Sequence, residues 1–393
     1  MRTLLLILAL GAILQLATTS AGAAQLSKQR EALDALLHSD SLDPNHFAPV
    51  FLDKVAPADI ERIIADMERK GGALLAIDPD GDGFLLRFER AEVRASIALS
   101  DDGRISGLWF GVLTPTGDFE SLVSAITSLP GDTSLLVLAD GEPLAQHRAG
   151  TPMAVGSAFK LAVLVAVERA VEAGRLDWGR TVDLSASWKS LPTGQLQDWP
   201  DGSPLTVSTL SHLMMSLSDN TAADALIHLV GREAVEAVSP RNSPFLTTRE
   251  AFVLKARSNT DLRARWHGAD AGGRRAILEE IADLPLPALG DLIAAPTLGI
   301  EWQMTARELC RLLDATADLP SLGINAGPIE HGAWRHLAYK GGSEIGVFNL
   351  SSRVVGRDGT TYCSVATWNA EKLLEENTLL TLYRGLLARL QDR

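Results

Sequence analysis

Apolar residues recur at helical spacing in several stretches of this chain and alternate over strand-like lengths in others. Leu161, Leu164, Val165 and Val171 share one helical face, which predicts a helix over 158–173 with Gly174 as its stop. Helical patterns also cover 27–37, 57–70, 207–217 and 221–230, with a helix start at 251–256 and an amphipathic terminal helix over 373–390. Pro57 suits a first helical position, where no N–H is needed. Strand patterns fall into two groups. The first is 72–77, 84–89, 92–99 and 103–113, joined by turns such as Ser100-Asp101-Asp102-Gly103. The second opens with 135–139 and 144–148, a hairpin around Asp140-Gly141-Glu142. It resumes much later at 334–339, 347–350 and 361–368.

This order divides the chain near Leu113-Thr114-Pro115-Thr116-Gly117. Helices first and a meander afterwards predict a small α+β domain over 24–116. The remainder, 117–393, has two strands, a helical middle, late strands and a last helix, for which periodicity alone gives only α+β. Residues 1–23 read as a secretory signal: Arg2, an apolar run over 4–16, and Ala21-Gly22-Ala23 as a small-residue cleavage site. The run is too short to span a bilayer. The expectation is a secreted or periplasmic protein that starts near Ala24 and is free of the membrane after cleavage; an uncleaved anchor is the alternative.

Three short motifs carry candidate chemistry. Ser157-Ala158-Phe159-Lys160 opens the helix predicted at 158–173, so Ser157 lies where unpaired N–H groups and the helix dipole favour an oxyanion. Lys160, three residues on, shares its face. A lysine accepts a proton only when burial or a nearby cation has neutralised it, and Lys340 is the candidate cation. The alternative is a Ser N-cap followed by a solvated Lys. Ser218-Asp219-Asn220 lies between two helical stretches. Asp219 reads as a loop organiser, and the whole motif also reads as a capped helix start. Lys340-Gly341-Gly342-Ser343 sits between strand-like flanks. Lys340 offers a point charge to a substrate carboxylate, and the glycines let a substrate backbone approach the strand. The Ser343 N–H is a natural second oxyanion donor beside that of Ser157. A Gly-rich hairpin with a surface Lys is the alternative.

Taken together, the motifs resemble the S-x-x-K, S-D-N and K-T-G set of class A β-lactamases and penicillin-binding proteins. The resemblance implies a β-lactamase/transpeptidase-like antiparallel sheet flanked by helices. It implies an active-site serine hydrolase that acts through an acyl-enzyme on a small-molecule β-lactam, ester or peptide. Ser157 is then the nucleophile, Lys160 the base and Ser218 the proton relay to the leaving group. Asn220 holds Lys160 or a substrate carbonyl, while Lys340, Gly342 and Ser343 face the substrate. A penicillin-binding sensor, or a D-alanyl peptidase or esterase acylated at the same serine, is the other class open. Two departures stand out. Gly341 occupies a position where the family has Thr or Ser, so one hydroxyl for a substrate carboxylate is missing. No Glu-Pro-x-x-Asn occurs in 239–250, and Glu250 is the nearest carboxylate: a candidate base, or a helix cap. Without that Glu, the acyl-enzyme is expected to form and then linger. Gln197-Asp198-Trp199-Pro200, the run from Phe245 to Glu250, and the run from Lys340 to Glu344 further resemble a two-domain branch met in clavulanic acid biosynthesis. There a small ketosteroid-isomerase/NTF2-like domain precedes the hydrolase domain.

Composition adds limits. Over 393 residues the net charge is −13, which argues against nucleic acid or anionic membranes as partners. The two cysteines, Cys310 and Cys363, form a bridge or stay as buried thiols. Asp78, Asp80, Asp82, Gly83 and Glu89 match a calcium-loop pattern, but strand-like flanks favour a hairpin turn. The eight histidines form no metal-binding motif, and no phosphate loop occurs. No cofactor or metal is expected.

Overall fold

A computed structural model describes residues 24–39, 41–111, 113–330, 332–391 and 393. The expected signal segment, 1–23, lies outside them. The chain splits into two compact units, Met1–Asp118 and Phe119–Arg393. Among the described residues no helix is long and apolar enough to cross a membrane.

The first unit has helices α1 (24–37) and α2 (Pro57–Gly71), then an antiparallel meander. Its strands are β1 (Leu74–Asp80), β2 (Gly83–Phe88), β3 (Ala91–Leu99) and β4 (Ile105–Phe110). Strand β3 alternates buried and outward positions, so Val93, Ala95 and Ile97 pack with Phe84, Leu86, Leu33 and Ile60. The calcium-loop pattern falls on the β1–β2 hairpin, and Gly81 takes φ +63 in its turn. Asp78 and Asp80 there pair with Arg87 and Arg94. A tight hairpin with arginine partners replaces the helix–loop–helix that calcium would need.

The second unit opens with α3 (Phe119–Thr127) and the hairpin strands β5 (Asp132–Ala139) and β6 (Glu142–His147). A helical middle follows: α4 (Lys160–Glu172), α5 (Val207–Ser216), α6 (Asn220–Val230), α7 (Thr248–Lys255) and α8 (Ala306–Thr316). Then come β7 (His336–Glu344), β8 (Val347–Val355), β9 (Thr361–Asn369) and the last helix α9 (Glu376–Gln391). The sheet order is β7-β8-β9-β5-β6, all antiparallel.

Period-two alternation sends the two faces of β5 into different cores. Leu135 and Val137 pack with Leu379, Tyr383 and Leu386 of α9, whereas Leu136 joins the helical middle. Each such side chain contributes roughly 1.5–3 kcal/mol by leaving water. Helix α4 is apolar on nearly every side from Leu161 to Val167, which suits a helix buried at the centre. Cys310 of α8 and Cys363 of β9 are joined as a disulfide, settling the alternative left by the sequence.

Candidate active site

The first motif does not begin on the α-helix itself. Gly156–Phe159 forms a 3₁₀ turn and α4 starts at Lys160, a correction to the single helix expected over 158–173. Gly156 takes φ +49, a conformation that glycine adopts without strain, and this turns the chain sharply out of the short strand before it. The turn packs against β7. A side chain at Gly342 would meet the Val155 carbonyl at 2.0 Å and the Ser157 nitrogen at 2.6 Å. One at Gly156 would meet the Ser343 nitrogen at 3.1 Å. Glycine at both positions therefore lets the two segments pass in close contact beside Ser157. The Ser343 hydroxyl is engaged elsewhere, donating to Glu376 of α9.

Lys160 is fully buried, which removes the solvated-lysine alternative. Its Nζ lies 3.1 Å from Ser157 Oγ and 3.1 Å from Ser218 Oγ. It also lies 2.6 Å from the Ser218 carbonyl and 2.7 Å from Asn220 Oδ1. Asn220 thus holds Lys160, and its amide donates to the Leu191 carbonyl at 3.0 Å. Burial, and then the charge of Lys340, push the Lys160 pKa well below the ordinary lysine range. Lys340 is almost as buried and donates to Ser218 Oγ at 3.1 Å. Burial lowers it to about 7.

Ser218 bridges the two lysines from a left-handed backbone, φ 56, where a non-glycine residue is strained. Asp219 over-determines that conformation. Its carboxylate accepts from the backbone N–H of Gln195, Leu196 and Ala222 at 2.7, 3.0 and 2.9 Å, capping α6 and fastening the neighbouring loop. Asp219 is therefore an organiser, as its residue type leads one to expect.

Glu250 lies elsewhere. It closes a capping box with Thr247 and pairs with Arg232 at 2.6 Å, and it does not line the cleft at Ser157. The helix-cap reading of Glu250 holds because α7 uses the carboxylate at its own N-terminus.

The cleft measures about 310 Å³. Its walls also hold groups that belong to none of the three motifs. Tyr339, on β7, has its phenol oxygen 2.2 Å from where a side chain at Gly341 would begin. The hydroxyl that the motif lacks at 341 is thus replaced in space by a phenol, whose proton burial keeps on more firmly than usual. Lys255 ends α7 in the cleft wall and pairs with the buried Glu301 and, at 3.5 Å, with Glu344. Thr248 lines the same wall, donates to Ser190, and takes its place through a backbone bond to the buried Asp224. Pairings this far apart in the chain leave no local pattern to read. Only the Tyr339–Gly341 spacing was visible, as two same-side positions of one strand.

A serine hydroxyl hydrogen-bonded to a buried lysine whose pKa is lowered is the kind of pairing that activates a nucleophile. Residues 120–259 match the family model described as the beta-lactamase enzyme family. No curated protein matches the chain. Among solved structures, a class A β-lactamase of Bacteroides cellulosilyticus DSM 14838 is similar at 16% identity and TM-score 0.50, over 70% of this chain and 98% of its own. A β-lactamase of Sphaerobacter thermophilus DSM 20745 has 23% identity and TM-score 0.49, over 70% and 96%. The structure titled PBP-A has 16% identity and TM-score 0.44, over 69% and 94%. At 16% identity the likeness to the Bacteroides structure concerns the fold, which is the sheet-and-helix architecture expected from the motifs.

Proposed function

We propose that this chain is exported, forms an acyl-enzyme at Ser157 with β-lactam amides or related esters and amides, and releases it slowly. One observation carries the reading: Lys160 Nζ stands within 3.1 Å of both Ser157 Oγ and Ser218 Oγ, and among the described residues no carboxylate is hydrogen-bonded to it. The neutral amine takes the Ser157 proton as Oγ attacks the substrate carbonyl carbon. The N–H groups of Ser157 and Ser343 receive the developing oxyanion. The proton passes through the Ser218 hydroxyl to the leaving nitrogen or oxygen, and the acyl-serine remains. Lys340 attracts a substrate carboxylate, with the Tyr339 phenol as a further donor.

Slow release follows from the absent Glu-Pro-x-x-Asn. The same absence favours a second reading, a penicillin-binding module or D-alanyl peptidase or esterase that stops at, or turns over slowly from, the same acyl-serine. Export rests on the signal-like segment 1–23, and the ketosteroid-isomerase/NTF2-like assignment of residues 24–116 rests on the two-domain resemblance.

Intact-mass spectrometry of the mature protein with a fluorescent penicillin, followed over time, tests this. The expected result is one equivalent of adduct that decays slowly, absent in Ser157→Ala. Removing an activated nucleophile costs several orders of magnitude. Equal activity in Ser157→Ala overturns the hydrolase reading. A stable adduct with no product favours the sensor.

A further inference from the structure

If the acyl-enzyme reading holds, release needs a base on the side of Ser157 away from the two lysines. The alternation of β7 shows what stands there. Lys340, Gly342 and Glu344 share one face of the strand, and Gly342 is the residue pressed against the Ser157 nitrogen. At about 3.3 Å per residue, Lys340 and Glu344 therefore lie roughly 7 Å from that contact in opposite directions. Lys340, with Ser218 and Lys160, occupies the leaving-group end. Glu344 occupies the other end. Among the described residues it is the sole acidic side chain that lines the cleft. Its side chain is 34% exposed, so it is open to water, and Lys255 holds it at 3.5 Å. Lys255 is itself anchored by the buried Glu301. The carboxylate is thus fixed in the wall instead of swinging free.

Resting on the acyl-enzyme reading, we propose that Glu344 is the general base for the water that releases the acyl group from Ser157. As the water oxygen bonds to the acyl carbon, one water proton moves to the Glu344 carboxylate. The tetrahedral oxyanion sits on the Ser157 and Ser343 N–H groups. Its collapse breaks the bond from carbon to Ser157 Oγ, and Oγ regains a proton from Lys160, which is resupplied from Lys340 through the Ser218 hydroxyl. The proton on Glu344 passes to solvent and Lys340 is recharged from solvent. One water is consumed and one carboxylic acid leaves.

The test separates base chemistry from mere shape. The Ser157 adduct is formed with a penicillin in wild type, Glu344→Gln and Glu344→Asp, and its decay is followed by mass in water and in hydroxylamine. Hydroxylamine attacks without needing a base. The expected result is adduct formation in all three proteins. Decay in water should be slowed roughly a hundredfold or more in Glu344→Gln, less in Glu344→Asp, and equal in all three with hydroxylamine. Unchanged decay in water overturns the proposal. Equal slowing in water and hydroxylamine also overturns it, because it reports a blocked or distorted cleft. If Glu344→Gln fails to fold, Glu344→Asp decides alone by the same criteria. A wild-type protein that never acquires an adduct removes the hydrolase reading first, and the base with it.

Discussion

Two of the buried lysines at the cleft, Lys160 against Ser157 and Lys255 in the wall, have opposite surroundings. Among the described residues Lys160 has only neutral oxygens within hydrogen-bond reach: two hydroxyls, a carbonyl and an amide. Burial and the Lys340 charge push its pKa down. Lys255 suffers the same burial, but the carboxylates of Glu301 and Glu344 outweigh it and raise its pKa. Burial alone therefore does not make a base. The choice of partner does: neutral acceptors leave an amine ready to take a proton, and carboxylates lock an ammonium in place.

Breaking the first member should have the largest effect. Lys160→Ala should cut the acylation rate by about three orders of magnitude or more while the protein still unfolds cooperatively, as read by stopped-flow acylation and a denaturant melt. Retained acylation would mean that another group takes the Ser157 proton.

Lys255→Met should act on stability instead. It strands the buried Glu301, and losing one partner of a buried pair costs about 3–5 kcal/mol. Adding Glu301→Leu should recover most of that, and a chemical denaturation series on both variants checks it. If Lys255→Met is neutral, the pair is not a lock.

The smallest effect is on pH dependence. Lys340 is charged below about 7 and loses that charge as pH rises through it. The KM of carboxylate-bearing substrates should therefore climb above about pH 7, towards tenfold per unit, while that of neutral esters stays flat. Lys160 works in the opposite sense, since it must be neutral to act, so acylation should fall as pH drops through its lowered pKa. Parallel KM profiles for the two substrate types would remove Lys340 from carboxylate binding.

These contrasts also show what the sequence could convey. Ser157, Lys160, Ser218, Asn220 and Lys340 were legible because each motif is a local pattern, and short segments fix their own turns and caps. The strands of the second unit were legible from their composition and the Asp140-Gly141 turn. The start of α4 was not, because a 3₁₀ turn and a helical first turn carry the same residues. Lys255, Glu301 and Glu344 were silent, since their pairing depends on three segments that meet only in the fold. The disulfide, spanning 53 residues, has no local signature for the same reason. Glu250 shows the converse: it is the carboxylate nearest in sequence to where a Glu-Pro-x-x-Asn would fall, but the N-terminus of its own helix claims it.

The Tyr339 ring has a consequence for how this cleft can change by mutation. The ring fills the space above Gly341 and also lies 2.1 Å from where a side chain at Gly327 would begin. Gly341→Thr alone drives a side chain into the phenol. Tyr339→Ala alone removes a hydroxyl and puts none back. Only the two together exchange one hydroxyl for the other, so each single step is uphill although the endpoints are alike. The pair forms a ratchet, and a chain that holds the phenol is kept from acquiring a threonine at 341 one substitution at a time.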